Sequence, residues 1–218
     1  MAGEIVVSAK ELARLCRAAG FEPGAQAQEA LGGYLELLMK WNRVMNLVGP
    51  HTWQAVFRTL IVDSLHLARF VEGLPLPEAP ECWDLGAGAG LPGIPLRALW
   101  QRGEYHMVEA REKRALFLGT ALARVELPRT RVFRGRAEDF MPTRPVADLV
   151  VSRAFMPWRD VLALVGRYVA PGGQVVFLTR EPLAEALPAG WNATGTAAYD
   201  VEGTTRYFWS LSPIMEAN

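Results

Sequence analysis

Glycines alternate with alanines directly after a short apolar segment that carries a single acid. The stretch spans Asp84 to Gly90 and reads DLGAGAG. Glycine permits backbone angles that other residues avoid and lets a ligand approach main-chain atoms closely. The D-x-G-x-G-x-G spacing suits S-adenosylmethionine, a sulfonium nucleotide, whereas Gly88, Gly90 and Gly93 also fit the G-x-G-x-x-G of dinucleotide enzymes. The stretch therefore predicts a nucleotide site and leaves two ligand classes open.

Features around the glycines favour S-adenosylmethionine as the cofactor. Asp84 lies two residues before Gly86, where its carboxylate can reach the ammonium group of the donor, directly or through water. Pro92 and Pro95 follow, where a dinucleotide loop normally runs straight into a helix. Glu109 ends the next predicted strand and can accept hydrogen bonds from both ribose hydroxyls. Both ligand classes are bound by an acid at this position, so Glu109 does not distinguish between them. The donor contacts predicted from this region are Asp84, Gly86, Gly88, Gly90 and Glu109.

The ends of the next two predicted strands would complete the pocket. Ala137 and Glu138 follow the third strand, where residues of such sheets flank the adenine and an acid accepts from its exocyclic amine. A solvated loop explains Glu138 and Asp139 equally well. Arg153 follows the fourth strand, beside the transferred methyl, and we expect this catalytic residue to orient a phosphate, the base or the donor carboxylate. Without that context, such an arginine is a surface residue or a salt-bridge partner.

Residues that the chain lacks exclude two acceptor chemistries and a metal site. Methylases of exocyclic amines carry an N/D-P-P-Y/F stretch after the fourth strand, where this chain has Ser152-Arg153-Ala154-Phe155. A cytosine-C5 methylase needs a cysteine nucleophile, and neither Cys16 nor Cys82 falls at a strand end that faces the pocket. The two cysteines and three scattered histidines form no ligand cluster, so we predict reduced thiols and no metal.

Short apolar runs alternate with amphipathic helical patterns after Pro80. The strand-like runs are ECWDL, YHMVEA, TRVFRG, ADLVVS and GGQVVFL, and this alternation implies βαβ units. Two later runs, WNATGTAAYDV and TRYFWSLSP, are joined at Glu202-Gly203 closely enough for an antiparallel hairpin. We therefore predict an α/β fold with a mainly parallel sheet, whose ligands bind beyond the C-terminal ends of the strands.

The first part of the chain reads as helices alone. Ser8 begins a capping box, Thr52 can cap a later helix, and Gly49-Pro50 is the expected stop of the helix between them. The proline-rich stretch EGLPLPEAP then marks a boundary. We predict a helical subdomain over residues 1–72 and a methyltransferase domain over residues 73–218.

Composition narrows the class of protein. The chain has 218 residues, of which 50% are hydrophobic, and a formal net charge of zero. It contains no run of about 18 apolar residues that would span a membrane. Its start lacks the basic and long apolar segments of a signal peptide. We expect a cytoplasmic monomer without a membrane partner.

Basic residues are concentrated in one segment. Between Arg111 and Arg136 there are eight lysines and arginines but only two acids. Clustered basic side chains attract phosphate and make binding salt-dependent, which favours an RNA partner. A solvated helix face followed by a charged loop is the alternative. The basic residues are Arg111, Lys113, Arg114, Arg124, Arg129, Arg131, Arg134 and Arg136.

Several segments together resemble the glucose-inhibited division protein B family, bacterial methyltransferases that modify N7 of a guanine in 16S ribosomal RNA. The resemblance covers about Leu31 to Leu211. The leucine-proline-glycine after the glycines, combined with Ser-Arg-Ala-Phe, is more specific than the glycines alone. The segments that carry it are KWNRVMNLV, VDSL, DLGAGAGLPGIPL, EKRALFL, RAEDF and VVSRAF.

The resemblance implies a seven-stranded sheet of the class I S-adenosylmethionine-dependent (Rossmann-like) type with an N-terminal helical cap. It implies donor contacts at Gly86, Leu91, Ala137 with Glu138, and Arg153. It also implies 16S ribosomal RNA as the partner, and we expect the 30S particle to present the base. The chain departs from the family at Thr59-Leu60 and Thr179-Arg180, where RNA or the reacting base would be touched.

Guanine N7 carries an in-plane lone pair and no proton, so its methylation requires no general base. Positioning in a water-excluding site can then supply several kcal/mol of the barrier reduction. Three other functions stay open. A small-molecule methyltransferase would act on a free metabolite, an NAD-dependent oxidoreductase would bind a dinucleotide, and a nucleotide sensor would bind the donor without transferring a methyl.

Overall fold

The first part of the protein consists of helices, as the sequence predicts. The computed structural model describes residues 5–214. The hydroxyls of Ser8 and Thr52 accept hydrogen bonds from the amides of Glu11 and Ala55, each at 3.3 Å, so both N-caps are confirmed. The helical elements are α1 Ala9–Ala18, α2 Ala25–Met45, α3 Trp53–Val56, a π-helical turn over Phe57–Ile61, and α4 Val62–Glu72.

Helix α2 ends earlier than the sequence predicts. Asn46 adopts a left-handed conformation with φ 48°, which asparagine tolerates better than most residues. The side chain of Asn42 accepts from the amide of Val48 at 2.8 Å and donates to the carbonyl of Pro50 at 3.3 Å. The predicted stop at Gly49-Pro50 was therefore wrong, because asparagines fold the chain back first. Although α2 has 21 residues, neither it nor another helix within residues 5–214 is long and apolar enough to cross a bilayer.

Seven strands form one sheet in the order β3-β2-β1-β4-β5-β7-β6. Strands β1 to β5 pair in parallel, whereas β7 is antiparallel to both β5 and β6. The predicted α/β class, mainly parallel sheet and terminal hairpin are confirmed. The strands are β1 Glu81–Leu85, β2 Glu104–Glu109, β3 Thr130–Arg134, β4 Ala147–Ser152, β5 Val169–Thr179, β6 Trp191–Val201 and β7 Thr204–Pro213.

Helices cover both faces of the sheet. Side chains alternate along each strand, so on β1 Cys82 joins one apolar core and Trp83 joins the other. The core that contains Cys82 also contains Leu35 of α2 and Leu65 of α4. The apolar packing is thus continuous between the N-terminal helices and the sheet, and a subdomain boundary at residue 72 stays a prediction. The later helices are α5 Gly93–Leu99, α6 Glu112–Arg124, α7 Ala137–Phe140 and α8 Trp158–Val165.

Candidate active site

The strand order reverses at β1, which lies between β2 and β4. In an open α/β sheet, loops that leave neighbouring strands in opposite directions open a crevice at such a point, and ligands bind there. The glycine-rich turn follows β1, and the segment Arg153 to Met156 follows β4. Two cavities meet at the second of these segments, and both include Ala154 and Met156 in their walls.

The three glycines of the turn meet different requirements, although all have positive φ values between 57° and 79°. The amide of Gly86 donates to the carbonyl of Val108 at 2.9 Å. A Cβ on Gly86 would approach Cδ2 of Phe155 to 2.5 Å, so only glycine lets the segment that follows β4 lie against the turn. A Cβ on Gly90 would instead meet Cδ1 of Ile94 at 2.6 Å. Gly90 therefore permits Ile94 of α5 to pack against the turn, and Gly86 permits Phe155 to pack against it.

Glu109 holds the turn from the end of β2. Its Oε2 accepts from the amide of Gly88 at 2.9 Å and its Oε1 accepts from the amide of Arg111 at 2.7 Å. The residue is 5% exposed. Each carboxylate oxygen retains a lone pair, so the side chain is fixed in direction but can still accept a hydrogen bond from a ligand.

The smaller cavity has a volume of about 360 Å³ and lies beyond the ends of β1, β2 and β3. The cavity is bounded on one side by the Ala154–Met156 segment. It brings together four predicted donor contacts from three separate strand ends: Gly86, Glu109, Ala137 and Glu138. Its other walls are formed by Val108, Ala110, Arg111, Arg114, Gly135 and Arg136.

Asp84 lies beneath the turn and is only 1% exposed. Burial raises the pKa of this carboxyl to about 7, although the Tyr105 hydroxyl, the Gly93 backbone and Arg153 favour the charged form. Its Oδ2 is buried, and no described residue offers it a well-formed hydrogen bond. A Cβ on Gly93 would collide with that oxygen. Asp84 is thus a buried, underpartnered carboxyl directly behind the glycine turn.

The larger cavity has a volume of about 710 Å³ and lies beyond β4, β5 and the hairpin. Arg153 forms part of its wall, as do both positions at which the chain departs from the family pattern. Ala154, which the two cavities share, has φ 52°, a left-handed conformation that costs an alanine on the order of 1 kcal/mol or more. The lining residues are Pro50, Thr59, Leu60, Asp63, Ser152, Arg153, Ala154, Met156, Trp158, Phe177, Leu178, Thr179, Arg180, Tyr199, Arg206 and Trp209.

Asp63 organises the polar wall of the larger cavity. Its Oδ2 lies 3.1 Å from Nη2 of Arg153 and 2.5 Å from Nη1 of Arg206, and its Oδ1 accepts from the hydroxyl of Tyr199 at 3.1 Å. The Asp63 side chain is 4% exposed, against 20% for Arg153 and 13% for Arg206. Helix α4, the end of β4 and the terminal hairpin thus meet at one carboxylate. We call Asp63, Arg153, Tyr199 and Arg206 the Asp63 cluster.

The structure divides the nine predicted site residues into three groups. Gly86, Glu109, Ala137 and Glu138 line the smaller cavity. Arg153 lines the larger cavity, across the Ala154–Met156 segment from them. The other four belong to the turn or flank it and line neither cavity: Asp84, Gly88, Gly90 and Leu91. A donor-contacting role stays a prediction for all nine.

Sequence reasoning missed Tyr34, Asp63, Tyr199 and Arg206. Tyr34 on α2 is fully buried, and its hydroxyl donates to the carbonyl of Ala89 in the glycine turn at 2.6 Å. Its helical spacing with neighbouring leucines predicts only a core position. Asp63 stands within the VDSL segment that carries the family resemblance, and this was the available signal. Nothing local marks Arg206, because its role depends on where the hairpin folds back.

Three of the eight lysines and arginines in the predicted basic segment form ion pairs in the structure. Arg131 pairs with Glu104 at 2.7 Å, Arg134 with Glu112 at 2.8 Å, and Arg124 with Glu36 at 3.4 Å. Exposed pairs of this kind contribute little to stability but neutralise local charge. Arg111, Arg114 and Arg136 have no ion-pair partner within residues 5–214 and line the smaller cavity. The candidate site therefore receives three of the five basic side chains of this segment that have no ion pair among the described residues.

Comparison with known families decides between the functions left open. Residues 27–194 match the GidB family model, described as rRNA small subunit methyltransferase G. The chain belongs to this family. A relative from Nitratidesulfovibrio vulgaris (strain DP4), named Ribosomal RNA small subunit methyltransferase G, is 64% identical over 218 residues, 100% of both chains. One of the same name from Oleidesulfovibrio alaskensis is 51% identical over 208 residues, 91% of each chain. Membership in the GidB family confirms the resemblance drawn from the motifs.

Solved structures confirm the fold. The chain is similar to a putative methyltransferase yhhF from Escherichia coli, with TM-score 0.56 and 16% identity over 70% of this chain and 87% of that one. It is also similar to a variant of MtNAS in complex with S-adenosylmethionine, with TM-score 0.60 and 14% identity over 95% of this chain and 84% of that one. At these identities the likeness establishes the methyltransferase sheet and nothing finer.

Proposed function

We propose that this GidB-family protein transfers a methyl group from S-adenosylmethionine to N7 of a guanine in 16S ribosomal RNA. The observation that carries the proposal is the pair of cavities that meet at the Ala154–Met156 segment. The smaller cavity is lined by residues that the sequence predicts to contact a nucleotide donor. The larger cavity has aromatic and arginine side chains in its wall. Full-length relatives named Ribosomal RNA small subunit methyltransferase G support the RNA substrate.

The smaller cavity fits the donor. When bound, S-adenosylmethionine supplies a methyl group that a nucleophile can take from its sulfonium sulfur. Glu109 would accept from the ribose hydroxyls with the lone pairs that Gly88 and Arg111 leave free. Ala137 and Glu138 would flank the adenine, and Gly86 leaves room for the chain to close over it. The MtNAS variant crystallised with S-adenosylmethionine shares this sheet, which supports the same cofactor.

The larger cavity fits an unprotonated nucleophile. Asp63 is the one carboxylate among its described lining residues, and two guanidinium groups and a phenol already engage it. A carboxylate held in that way is a poor general base. Guanine N7 needs none, because it attacks with an in-plane lone pair. Trp158, Phe177 and Trp209 offer apolar walls that exclude water and stack on a purine.

The two cavities and the arginines around them also suit a guanine that is flipped out of an RNA helix. Arg111, Arg114 and Arg136 would meet phosphates at the rim of the smaller cavity. We infer that the assembled 30S particle presents the guanine. The proposal also takes a single chain in the cytoplasm as the working unit, which light scattering of the purified protein would check.

Labelled methyl transfer tests the proposal. The purified protein and tritiated S-adenosylmethionine are incubated with 30S particles from cells that lack this protein, and the modified base is then mapped. We expect one N7-methylguanine in 16S ribosomal RNA. Particles from cells that contain the protein serve as the control, since their guanine is already methylated. Transfer to free guanosine but not to particles would favour a small-molecule enzyme, and binding of NAD in preference to the donor would refute the proposal.

A further inference from the structure

The larger cavity carries an unbalanced positive charge. Three arginines and one acid line it: Arg153, Arg180 and Arg206 against Asp63. Arg153 and Arg206 share the same carboxylate oxygen, so one negative charge faces two cations that are mostly withdrawn from water. Arg180 has no ion-pair partner within the described part of the chain. Partly buried charges without a counter-charge are costly, so this wall is suited to receive an anion.

Arg206 is also incompletely bonded. Its Nη1 donates to Oδ2 of Asp63 and, at 2.8 Å, to the carbonyl of Thr59. Its Nε is buried and has no acceptor among the described residues. Arginine presents five N–H donors in a fork that matches phosphate, and Arg206 leaves part of this fork unused. The unused donors and the unbalanced charge occur at the same side chain.

The rest of the cavity indicates which anion this is. Trp158 and Trp209 pack edge to face with centroids 5.6 Å apart, and Phe177 lies beside them. An aromatic wall next to a cationic wall is complementary to a nucleotide, which has a flat base and a charged backbone. The amino-acid part of the donor has no group that would use such an aromatic surface.

The charge balance of the proposed reaction supports a phosphate. As the bond to guanine N7 forms, positive charge passes from sulfur to the base. A cavity that already holds two surplus cations would oppose this transfer by Coulomb repulsion. A phosphate that enters with the base offsets one of those charges.

We infer that Arg206, together with Arg153 and Arg180, forms a phosphate subsite in the larger cavity that holds the backbone phosphate of the target guanosine. Asp63 is the positioning residue that keeps Arg153 and Arg206 side by side. The inference rests on the proposed function, because it assigns the larger cavity to the RNA.

Steady-state methylation of 30S particles at several salt concentrations tests the subsite in wild type, Arg206→Lys and Arg206→Gln. We expect Arg206→Gln to raise the KM for particles by about tenfold and to lower the slope of log KM against log salt by about one, since one phosphate contact is lost. Arg206→Lys should keep the slope, because it keeps the charge, and raise KM about threefold. The dissociation constant for S-adenosylmethionine, measured by calorimetry, should stay within about twofold of wild type.

Two further variants control for a general loss of positive charge and for misfolding of Arg206→Gln. Arg14→Gln removes the same charge from an exposed ion pair on α1 and should leave KM and slope unchanged. Arg180→Gln disturbs no described ion pair, and it should lower the slope by about one even where Arg206→Gln fails to fold. A wild-type slope in Arg180→Gln, together with a wild-type KM in Arg206→Lys, would overturn the subsite. A loss of donor affinity that matches the rise in KM would assign the anion to the donor carboxylate instead, and would equally overturn it.

Direct binding separates this inference from the proposed function. Trp158 and Trp209 line the cavity, so their fluorescence should report the binding of guanosine 5′-monophosphate and of guanosine. We expect the monophosphate to bind wild type about fivefold more tightly and Arg206→Gln equally with the nucleoside. Wild type without activity on particles would refute the proposed function, while equal affinities in wild type would refute the phosphate subsite.

Discussion

The two cavities are built in different ways. The walls of the smaller one come from strand ends that follow one another along the chain, and they include Glu109, which also holds the glycine turn through the amide of Gly88. The polar wall of the larger one is made by side chains that are far apart in sequence, with Asp63 and Arg206 separated by 143 residues. Under the proposed function, a local motif forms the site for a donor that many enzymes share, whereas long-range packing forms the site for the acceptor of one family.

This difference decides what the sequence predicts. The fold follows from apolar runs, caps and turns, each of which is a local signal, and all seven strands were predicted. The predicted donor contacts rest on equally local signals, the glycine spacing and an acid at the end of β2, and they stay predictions. The Asp63 cluster could not be predicted in the same way. Its geometry depends on a π-helical turn over Phe57–Ile61, which has no sequence pattern, and on the hairpin that returns Arg206 to the carbonyl of Thr59.

Loss of Arg153 should have the largest effect, because this residue lines the larger cavity directly beside the segment that both cavities share. Substitution Arg153→Ala should lower kcat/KM on 30S particles by about 100-fold, equivalent to about 3 kcal/mol of transition-state stabilisation. The melting temperature should fall by only a few degrees, since Arg206 still neutralises Asp63. Arg153→Lys is the matched variant that keeps the charge, and we expect it to recover part of the rate. A rate for Arg153→Ala equal to wild type would remove this residue from the mechanism.

Two alanine substitutions test whether the glycine turn has separable functions. Gly86→Ala should weaken S-adenosylmethionine binding by about tenfold or more, because the new Cβ drives Phe155 out of place beside the donor cavity. Gly90→Ala should lower the free energy of unfolding by about 2 kcal/mol, because its Cβ meets Ile94 and Leu118 in the core.

Calorimetry for the donor and urea unfolding, applied to both variants, give a two-by-two comparison. We expect Gly86→Ala to affect mainly donor binding and Gly90→Ala mainly stability. Equal losses of donor affinity in the two variants would show that the turn acts as one unit, and would contradict the separation drawn from their neighbours.

Asp84 should make stability depend on pH in the opposite direction to an ion-paired acid. Its pKa is raised from 3.8 to about 7 by burial, so between those values the folded protein retains a proton that the unfolded chain has lost. Stability should therefore fall as pH rises from about 4 to 7. Asp84→Asn removes this dependence. Relative to wild type, the variant should gain about 2 kcal/mol between pH 5 and pH 8 in urea unfolding. A variant that loses stability over this range would show that the carboxyl is charged and well partnered when folded.

The smallest effect expected concerns the contact between the N-terminal helices and the donor side. Tyr34 donates to the carbonyl of Ala89 at 2.6 Å, the direct hydrogen bond from α2 to the glycine turn. Tyr34→Phe should cost about 1 kcal/mol of unfolding free energy, because it leaves a buried carbonyl without its donor. Donor affinity should fall about threefold as the turn loosens.

Tyr207→Phe is the matched control for that substitution, because the Tyr207 hydroxyl has no hydrogen bond within residues 5–214, and it should change neither quantity. If Tyr34→Phe lowers stability but leaves donor affinity at the wild-type value, then Glu109 and the carbonyl of Val108 hold the turn without help from α2. The N-terminal helices would then contribute only to the proposed RNA cavity. The contrast between a donor site built from local sequence and an acceptor site built from distant residues would become sharper.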